Sequence, residues 1–385
     1  IHMKILFIAS ATNWDGANVA LYNLIAGLCK LHETFVLTPK GNGRFLVELN
    51  KIGVHHESYP YRLTIYPRGR NPFKRLINLV KMLSERKKTQ LAIEFIIKEY
   101  HPDIVHTNVG PLDIALEVCL KYRIPHVWHQ REYQDLDFHM HSFPSKKDFK
   151  KRIHTTGNYN IAITKGVFQH WNLTSQDKII YDGVFSKKQV PLSCTVKSNY
   201  FLFAGRIQEA KGVHVVLNAF AKFSLKYKDY QLLLAGRIFT GSPYQKRCEK
   251  IIEDNSLAKR VHFLGERTDV YELMSKAQAL IVASRFEGFG FITTEAMWND
   301  CLVIGKNIAG TKEQFDNGVA ETGHEIGLRF LTESELIERM CFAVNNDTRE
   351  MRSYAQKTVM EKYTIEQCCN KTEEYYKEIV SNYNK

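Results

Sequence analysis

Along this chain, short apolar runs rich in Ile, Val and Phe alternate with stretches whose apolar residues recur at helical spacing. KILFIAS, TFVLTP, DIVHTN, PHVWHQ, YNIAIT and KIIYDGV are of the first kind. Runs that stay apolar, instead of alternating with polar residues, predict parallel strands buried on both faces. Ala17, Ala20, Leu21, Leu24, Ile25 and Leu28 are of the second kind and mark one face of a helix. The alternation predicts βαβ units.

The rhythm pauses over residues 185–198, FSKKQVPLSCTVKS, a polar segment with one proline that suits a linker. It resumes with NYFLFAG, YQLLLAG, RVHFLG, ALIVAS and CLVIGK, separated by helical stretches such as GVHVVLNAFAKF and DVYELMSKA. The pattern predicts an α/β protein of two Rossmann-like, doubly wound parallel-sheet domains, residues 3–184 and 199–363. From Thr332 onward it is helical throughout, and a last helix over about 364–385 is expected to pack back on the first domain. A length of 385 residues agrees, because single cores stop growing near about 250–300 residues. Ile1 and His2 precede Met3 and are set outside the fold.

Composition narrows the class. No window approaches the roughly 20 apolar residues that span a bilayer, and no charged-then-apolar leader is present, so a cytoplasmic protein is expected. The eight cysteines are scattered without a Cys-x-x-Cys pair and read as reduced core thiols, and a structural zinc site is not expected. The formal charge of +12 implies affinity for phosphate-bearing partners without choosing among nucleotide, anionic lipid and nucleic acid.

The chemistry concentrates in ASRFEGFGFITTEAM, residues 283–297, where Glu287 and Glu295 flank Gly288 and Gly290. ALIVAS ends a strand, and TTEAMW can begin a helix capped by Thr293 or Thr294. The bend between them then lies at the carboxyl end of a parallel sheet, where α/β folds bind ligands. Glycines let backbone approach a ligand, and a helix start offers N–H groups to phosphate. Each carboxylate can take two hydroxyl donors, which suits a polyol. An ordinary strand turn with solvated glutamates explains the stretch equally well when it is taken alone. A second stretch, FLFAGRIQEAKG, places Arg206 and Lys211 just beyond a strand beside Gly205 and Gly212. Two such cations can clamp a diphosphate, and either by itself also suits an ordinary surface.

Together, GRIQEAKG and SRFEGFGFITTEAM resemble the nucleotide-sugar-binding half of the retaining GT-B glycosyltransferases of family 4 (glycosyl transferases group 1). The resemblance rests on two glutamates separated by seven residues, and it extends to VIGKNIAGTKEQF. There Gly310 and Glu313 match a Gly-Gly-x-x-Glu region whose first glycine is replaced by Ala309. It implies a nucleotide sugar, UDP- or GDP-linked, bound in a cleft between the domains, with no metal or other cofactor. Arg206 and Lys211 would hold the diphosphate, Glu295 the ribose and Glu287 a donor-sugar hydroxyl. The backbone of Gly288, Phe289 and Gly290 would lie along sugar and phosphate, with Gly205, Gly265 and Phe291 completing the donor set.

The amino-terminal half is implied to take the acceptor, a glycan or lipid-linked saccharide of bacterial surface polysaccharide biosynthesis. SATNWDGANVALYNL carries only Gly16 where the family often has two glycines facing the donor phosphate. Asp15 and Asn18 are carried over as acceptor residues, although Asp15 also reads as a plain helix cap. His129, at the end of PHVWHQ, matches the family's histidine beside the reaction centre, followed by Arg131 and Glu132. Asn108 stands where a His-x-His pattern is common, which removes a titratable group but leaves acceptor hydrogen bonding open. Residues 62–88 hold nine Lys or Arg against one Glu, with Phe73, Leu76, Ile77, Leu79, Val80 and Leu83 interleaved. Such a helix either docks on an anionic membrane or packs its apolar side on the core. Lys146, Lys147, Lys150, Lys151 and Arg152 add to the basic character, so a peripheral place on the inner membrane face is a further expectation.

The resemblance implies retention by front-face substitution, with His129, Arg206, Lys211 and Glu287 nearest the chemistry. Alternatives are a nucleotide-sugar epimerase or a phosphorylase of the same fold, and a basic nucleic-acid-binding protein with Tyr61, Tyr66 and Phe73 stacking on bases. No nucleic-acid module is recognised, so nucleic acid is not expected as a partner. A dehydrogenase is disfavoured because neither half has Gly-x-Gly-x-x-Gly after its first strand.

Overall fold

The computed structural model describes residues 2–69 and 71–383; Arg70 of the basic stretch, Ile1 and the last two residues of the expected terminal helix lie outside these. Backbone contacts divide the chain into two units, Ile1–Gly183 with Ile365–Lys385, and Val184–Thr364. The 185–198 segment falls in the second unit, where Leu192 N donates to Asn299 Oδ1 and Lys197 Nζ to the carbonyls of Ser275 and Asp300.

In the first unit seven strands form one parallel sheet: β1 (Lys4–Ile8), β2 (Glu33–Pro39), β3 (His55–Tyr59), β4 (Ile104–Thr107), β5 (His126–Gln130), β6 (Asn158–Ala162) and β7 (Lys178–Ile179). Their order is β3-β2-β1-β4-β5-β6-β7. Side chains alternate across a strand, so each face of β1 enters a different core. Ile5 and Phe7 pack with Leu21, Leu24 and Ile25 and with Tyr375, Tyr376 and Ile379 of the last helix, Ile365–Tyr383. Leu6 and Ile8 pack with Ile93, Ile96 and Ile97 of the long helix Pro72–Tyr100. Burial on both faces is why β1 reads as unbroken apolar sequence.

In the second unit six strands repeat the plan: β8 (Tyr200–Ala204), β9 (Gln231–Ala235), β10 (Val261–Gly265), β11 (Ala279–Val282), β12 (Val303–Lys306) and β13 (Leu328–Phe330). Their order is β10-β9-β8-β11-β12-β13, again all parallel. Strand order reverses between β1 and β4 in one sheet and between β8 and β11 in the other. Chains leaving two strands at such a switch point diverge to opposite faces, which opens a crevice at their carboxyl ends. No described helix is long and apolar enough to cross a membrane.

The long helix departs from a packed amphipathic helix in its first half. Phe73, Leu76, Ile77 and Val80 are 79%, 58%, 65% and 58% exposed, whereas Met82, Thr89 and Ile93 are buried. Phe73, Leu76, Ile77 and Val80 therefore stay largely uncovered among the described residues, whereas Leu79 is half-buried.

Candidate active site

The second unit's switch point is formed by the segments that follow β8 and β11. After β8, Gly205 takes φ +142, a conformation open to glycine. A short 3₁₀ turn, Glu209–Lys211, leads to Gly212 at φ +72 and then to the helix Val213–Lys226. A Cβ on Gly212 would stand 2.2 Å from the Ala283 carbonyl oxygen, so only glycine lets the two segments meet. Arg285 N donates to Ala210 O at 2.8 Å and joins them. After β11, Gly290 at φ +87 starts the helix Phe291–Trp298. Thr293 and Thr294 are thus not its caps. The left-handed glycine begins the helix before them, and Thr294 Oγ1 donates back to Phe291 O at 2.8 Å. Both helix starts have a glycine at the N-cap, with no side chain to cap them; Tyr244 OH accepts from His214 N at 3.1 Å in the first turn of the first helix, and the positive dipole ends face the switch point.

Four predicted side chains stand at this point. Lys211 Nζ donates to Glu287 Oε1 at 2.5 Å, and Ser284 Oγ donates to the same oxygen at 2.6 Å. Arg206 is exposed and has no ion-pair partner among the described residues. Glu295, on the helix, accepts from Tyr271 OH at 3.0 Å. Burial raises its carboxyl above the usual range, with the tyrosine bond partly offsetting the shift.

The glycine and phenylalanine positions shape backbone. Phe289 is buried against Phe291 and Tyr363, so its ring is core while its carbonyl accepts from Gln314 Nε2 at 2.8 Å. Gly288 lies within this bend, and Gly310 N donates to Glu287 O at 3.0 Å. A Cβ on Gly310 would stand 2.4 Å from the Phe289 carbonyl oxygen. Ala309, in the place of the family's first glycine, is held at φ +45, a left-handed conformation that costs a residue with a Cβ about 1–2 kcal/mol. Gly265 ends β10 at φ +67 and accepts from Gly236 N at 2.7 Å.

The first unit's candidates also leave the ends of switch-point strands. Asp15 caps the helix Gly16–Leu28, accepting from Asn18 N at 3.1 Å, so Asp15, Gly16 and Asn18 form one helix start with a carboxylate on it. Asn108, beyond β4, donates to Ala17 O at 3.0 Å and accepts from Arg131 Nε at 3.0 Å. Arg131 is buried, and its Nη1 reaches both oxygens of buried Asp182 at 2.7 and 2.5 Å. Its Nη2 lies 3.3 Å from His129 Nδ1. A guanidinium only donates, so Nδ1 accepts and the ring proton sits on Nε2. That buried Nε2 has no hydrogen-bond partner among the described residues. Burial first, then Arg131 and His106, hold the His129 imidazole well below its usual range. His129 is therefore a neutral hydrogen-bond donor.

Glu132 follows Arg131, whose charge and backbone N–H partly lower its carboxyl. It is buried and accepts from Gly110 N at 3.2 Å; burial, with Asp137 nearby, pushes its carboxyl up to about 8. An unfolded glutamate titrates near about 4.3. A raised acid favours folding while protonated, so its contribution is complete below about pH 4.3 and is lost as pH rises through about 8. Replacing Glu132 by Gln, which cannot ionise, should remove that part of the alkaline loss. Urea midpoints of both chains at about pH 5 and pH 8.5 measure it, and identical pH slopes would refute the assignment.

Sequence patterns did not reveal Tyr271, Ser284, Gln314 or Asp182. The only signal for Asp182 was its place at the end of KIIYDGV, where strand-end acids approach the sheet's carboxyl edge.

The description "Glycosyl transferases group 1" matches residues 186–357, and "Glycosyltransferase Family 4" matches residues 14–171. A Campylobacter jejuni relative, GalNAc-alpha-(1->4)-GalNAc-alpha-(1->3)-diNAcBac-PP-undecaprenol alpha-1,4-N-acetyl-D-galactosaminyltransferase, is 26% identical over 329 residues, 81% of each chain. A trehalose synthase of Pyrococcus horikoshii is 27% identical over 168 residues, 42% of this chain and 39% of its own. Among solved structures, the Anabaena protein HepE in complex with UDP and glucose superposes with a TM-score of 0.74 at 18% identity, covering 97% of this chain and 99% of its own. A glycosyltransferase from Rickettsia africae gives 0.76 at 21% identity, covering 99% of both chains. Two parallel Rossmann-like sheets, a match to a group 1 description in one half and a family 4 description in the other, make this chain a member of the GT-B glycosyltransferases of family 4.

Proposed function

We propose that the protein transfers a sugar from a UDP- or GDP-linked donor to a glycan or lipid-linked saccharide of bacterial surface polysaccharide biosynthesis, with retention at the anomeric carbon. One observation carries this reading: two glycine-started helices at the β8/β11 switch point, accompanied by Arg206, Lys211, Glu287 and Glu295. The helix ends and the two cations suit a diphosphate, and the two carboxylates suit the hydroxyls on either side of it. Nucleotide sugars have this charge pattern, phosphate between two polyols. The relatives named above are consistent with that choice, since one is named for an undecaprenyl-diphosphate acceptor and another is held with UDP and glucose.

In the proposed step the bond from the anomeric carbon to the β-phosphate oxygen breaks and its electron pair stays on that oxygen. The acceptor hydroxyl attacks from the same face and gives its proton to the leaving phosphate. Arg206 and Lys211 stabilise the charge that grows there. Glu287 positions the donor sugar, and His129 offers its Nε2 hydrogen to a sugar hydroxyl. Asn108, Arg131 and Glu132 order the acceptor side, and no metal takes part. Thermal shift with UDP, GDP and their sugars tests donor binding, since a ligand at 100 times its Kd stabilises by about 2.7 kcal/mol. No shift with any of them would end the reading. Anomeric analysis of the product tests retention.

The exposed stripe Phe73, Leu76, Ile77 and Val80 among lysines and arginines favours a second element, docking on an anionic bilayer. Sedimentation with phosphatidylglycerol vesicles, absent with phosphatidylcholine vesicles, is the expected result; equal binding to both would refute it.

A further inference from the structure

The helix Val270–Lys276 follows β10, and its second residue, Tyr271, turns its hydroxyl toward half-buried Glu295, donating to Oε1 at 3.0 Å. Tyr271 is itself 40% exposed, so burial of its ring does not by itself account for this placement. The ring is held from one side. Its edge meets Phe185 at 5.6 Å between centroids and 62°, and Phe185 stacks on Trp298 at 5.1 Å and 16°. Phe185 and Trp298 are buried, and the backbone of Phe185 is further fixed by a bridge to Thr364. Glu295 and Trp298 stand three apart on the helix Phe291–Trp298 and are therefore neighbours on its surface. The contacts close on themselves: carboxylate to phenol, phenol ring to Phe185, Phe185 to Trp298, and Trp298 through one helical turn back to the carboxylate.

Such a circuit fixes a side chain that is otherwise loose. A glutamate that is frozen only when its ligand arrives loses rotamer freedom equivalent to about a factor of ten in affinity. Tyr271 and the two rings behind it restrict Glu295 already in the folded chain, which leaves the carboxylate preorganised. The phenol takes one acceptor position on Oε1. A carboxylate has about four, so Oε2 and the rest of Oε1 stay available. Acceptor positions on two adjacent oxygens match two adjacent hydroxyls, as on the 2′ and 3′ carbons of a ribose. The phenol also opposes the rise that burial imposes on the Glu295 carboxyl, and an ionised carboxylate only accepts.

We propose that Tyr271 is a positioning residue for nucleotide binding, holding Glu295 in the orientation that receives the ribose diol. This rests on the donor reading and adds to it a residue that acts through another. Titration calorimetry on the full chain with UDP, GDP and their 2′,3′-dideoxy counterparts tests it. Tyr271→Phe keeps the ring and loses the hydroxyl, and its thermal midpoint checks that it folds. For whichever ribonucleotide the wild type binds more tightly, affinity is expected to fall about tenfold in this variant, while that of the dideoxy counterpart stays within twofold. A tyrosine with a merely structural role would weaken both alike. That result overturns the proposal, and so does a ribonucleotide loss within twofold. In a Glu295→Ala background, Tyr271→Phe should change affinity by less than twofold; a further tenfold loss there would show the phenol meeting the nucleotide directly, against a positioning role. Wild-type chain that binds UDP or GDP, with no change on Tyr271→Phe, overturns the proposal and leaves the donor reading standing. Wild-type chain that binds neither ends the donor reading and this proposal with it.

Discussion

Arg206→Ala is expected to lower kcat by a factor of about 10²–10³, the loss of roughly 3–4 kcal/mol that follows removal of one donor to a developing oxyanion. The guanidinium is exposed and has no ion-pair partner among the described residues, so its removal orphans no described charge and the thermal midpoint should stay within about 1 °C. Because negative charge on the leaving phosphate peaks as the glycosidic bond breaks, the loss should fall on kcat more than on UDP affinity. Lys211→Ala differs in one instructive respect. It also removes the 2.5 Å partner of Glu287, whose side chain is 15% exposed, so both the midpoint and the rate should fall. A pair of variants with equal rate losses and unequal midpoints separates the charge effect from the packing effect. If Arg206→Ala turned over at near the wild-type rate, the diphosphate assignment would be wrong.

The Lys211–Glu287 contact adds a condition that sequence spacing did not suggest. The resemblance gives the two residues different parts of one ligand, yet Lys211 Nζ donates to Glu287 Oε1. If the proposed donor site is correct, a diphosphate would draw Lys211 partly from Glu287, and the freed carboxylate oxygen would then be open to a sugar hydroxyl. Binding of the phosphate and of the sugar would thereby favour one another, through exchange of a single ion pair.

What the chain revealed by itself follows from burial. β1, β8 and β11 are apolar on both faces and are visible as unbroken runs. β3, HHESY, is an edge strand paired only with β2 and partly exposed, so it carries no such run. β13 is three residues long, too short for any period. Strand ends were legible, and with them Arg206, Lys211, Glu287 and Glu295. Their partners were not: Tyr271 becomes a neighbour of Glu295 only through the fold, and Ser284, three residues before Glu287 in the same bend, has no spacing that marks it. The long helix shows a different limit. Periodicity identifies an apolar face, but it is the same for a face that packs and one that stays open, and only the fold separates Phe73 from Ile93.

The largest stability effect is expected from the ion pair at the end of β5. Asp182→Ala leaves Arg131 buried without its counter-charge, a change that costs about 3–5 kcal/mol. For a unit of this size each kcal/mol lowers the midpoint by about 2–4 °C, so the fall should be roughly 6–20 °C. Replacing both partners by apolar residues, Arg131→Met with Asp182→Leu, removes the uncompensated charge and should recover most of that loss. Activity should not recover with it. Without the guanidinium at 3.3 Å, His129 Nδ1 is no longer held as the acceptor, and the ring can carry its proton on either nitrogen. A double variant that is stable but slow would assign Arg131 a positioning role through His129. One that is both stable and fast would show that the pair serves folding alone, and a single Asp182→Ala variant melting within about 1 °C of wild type would refute the buried pair itself.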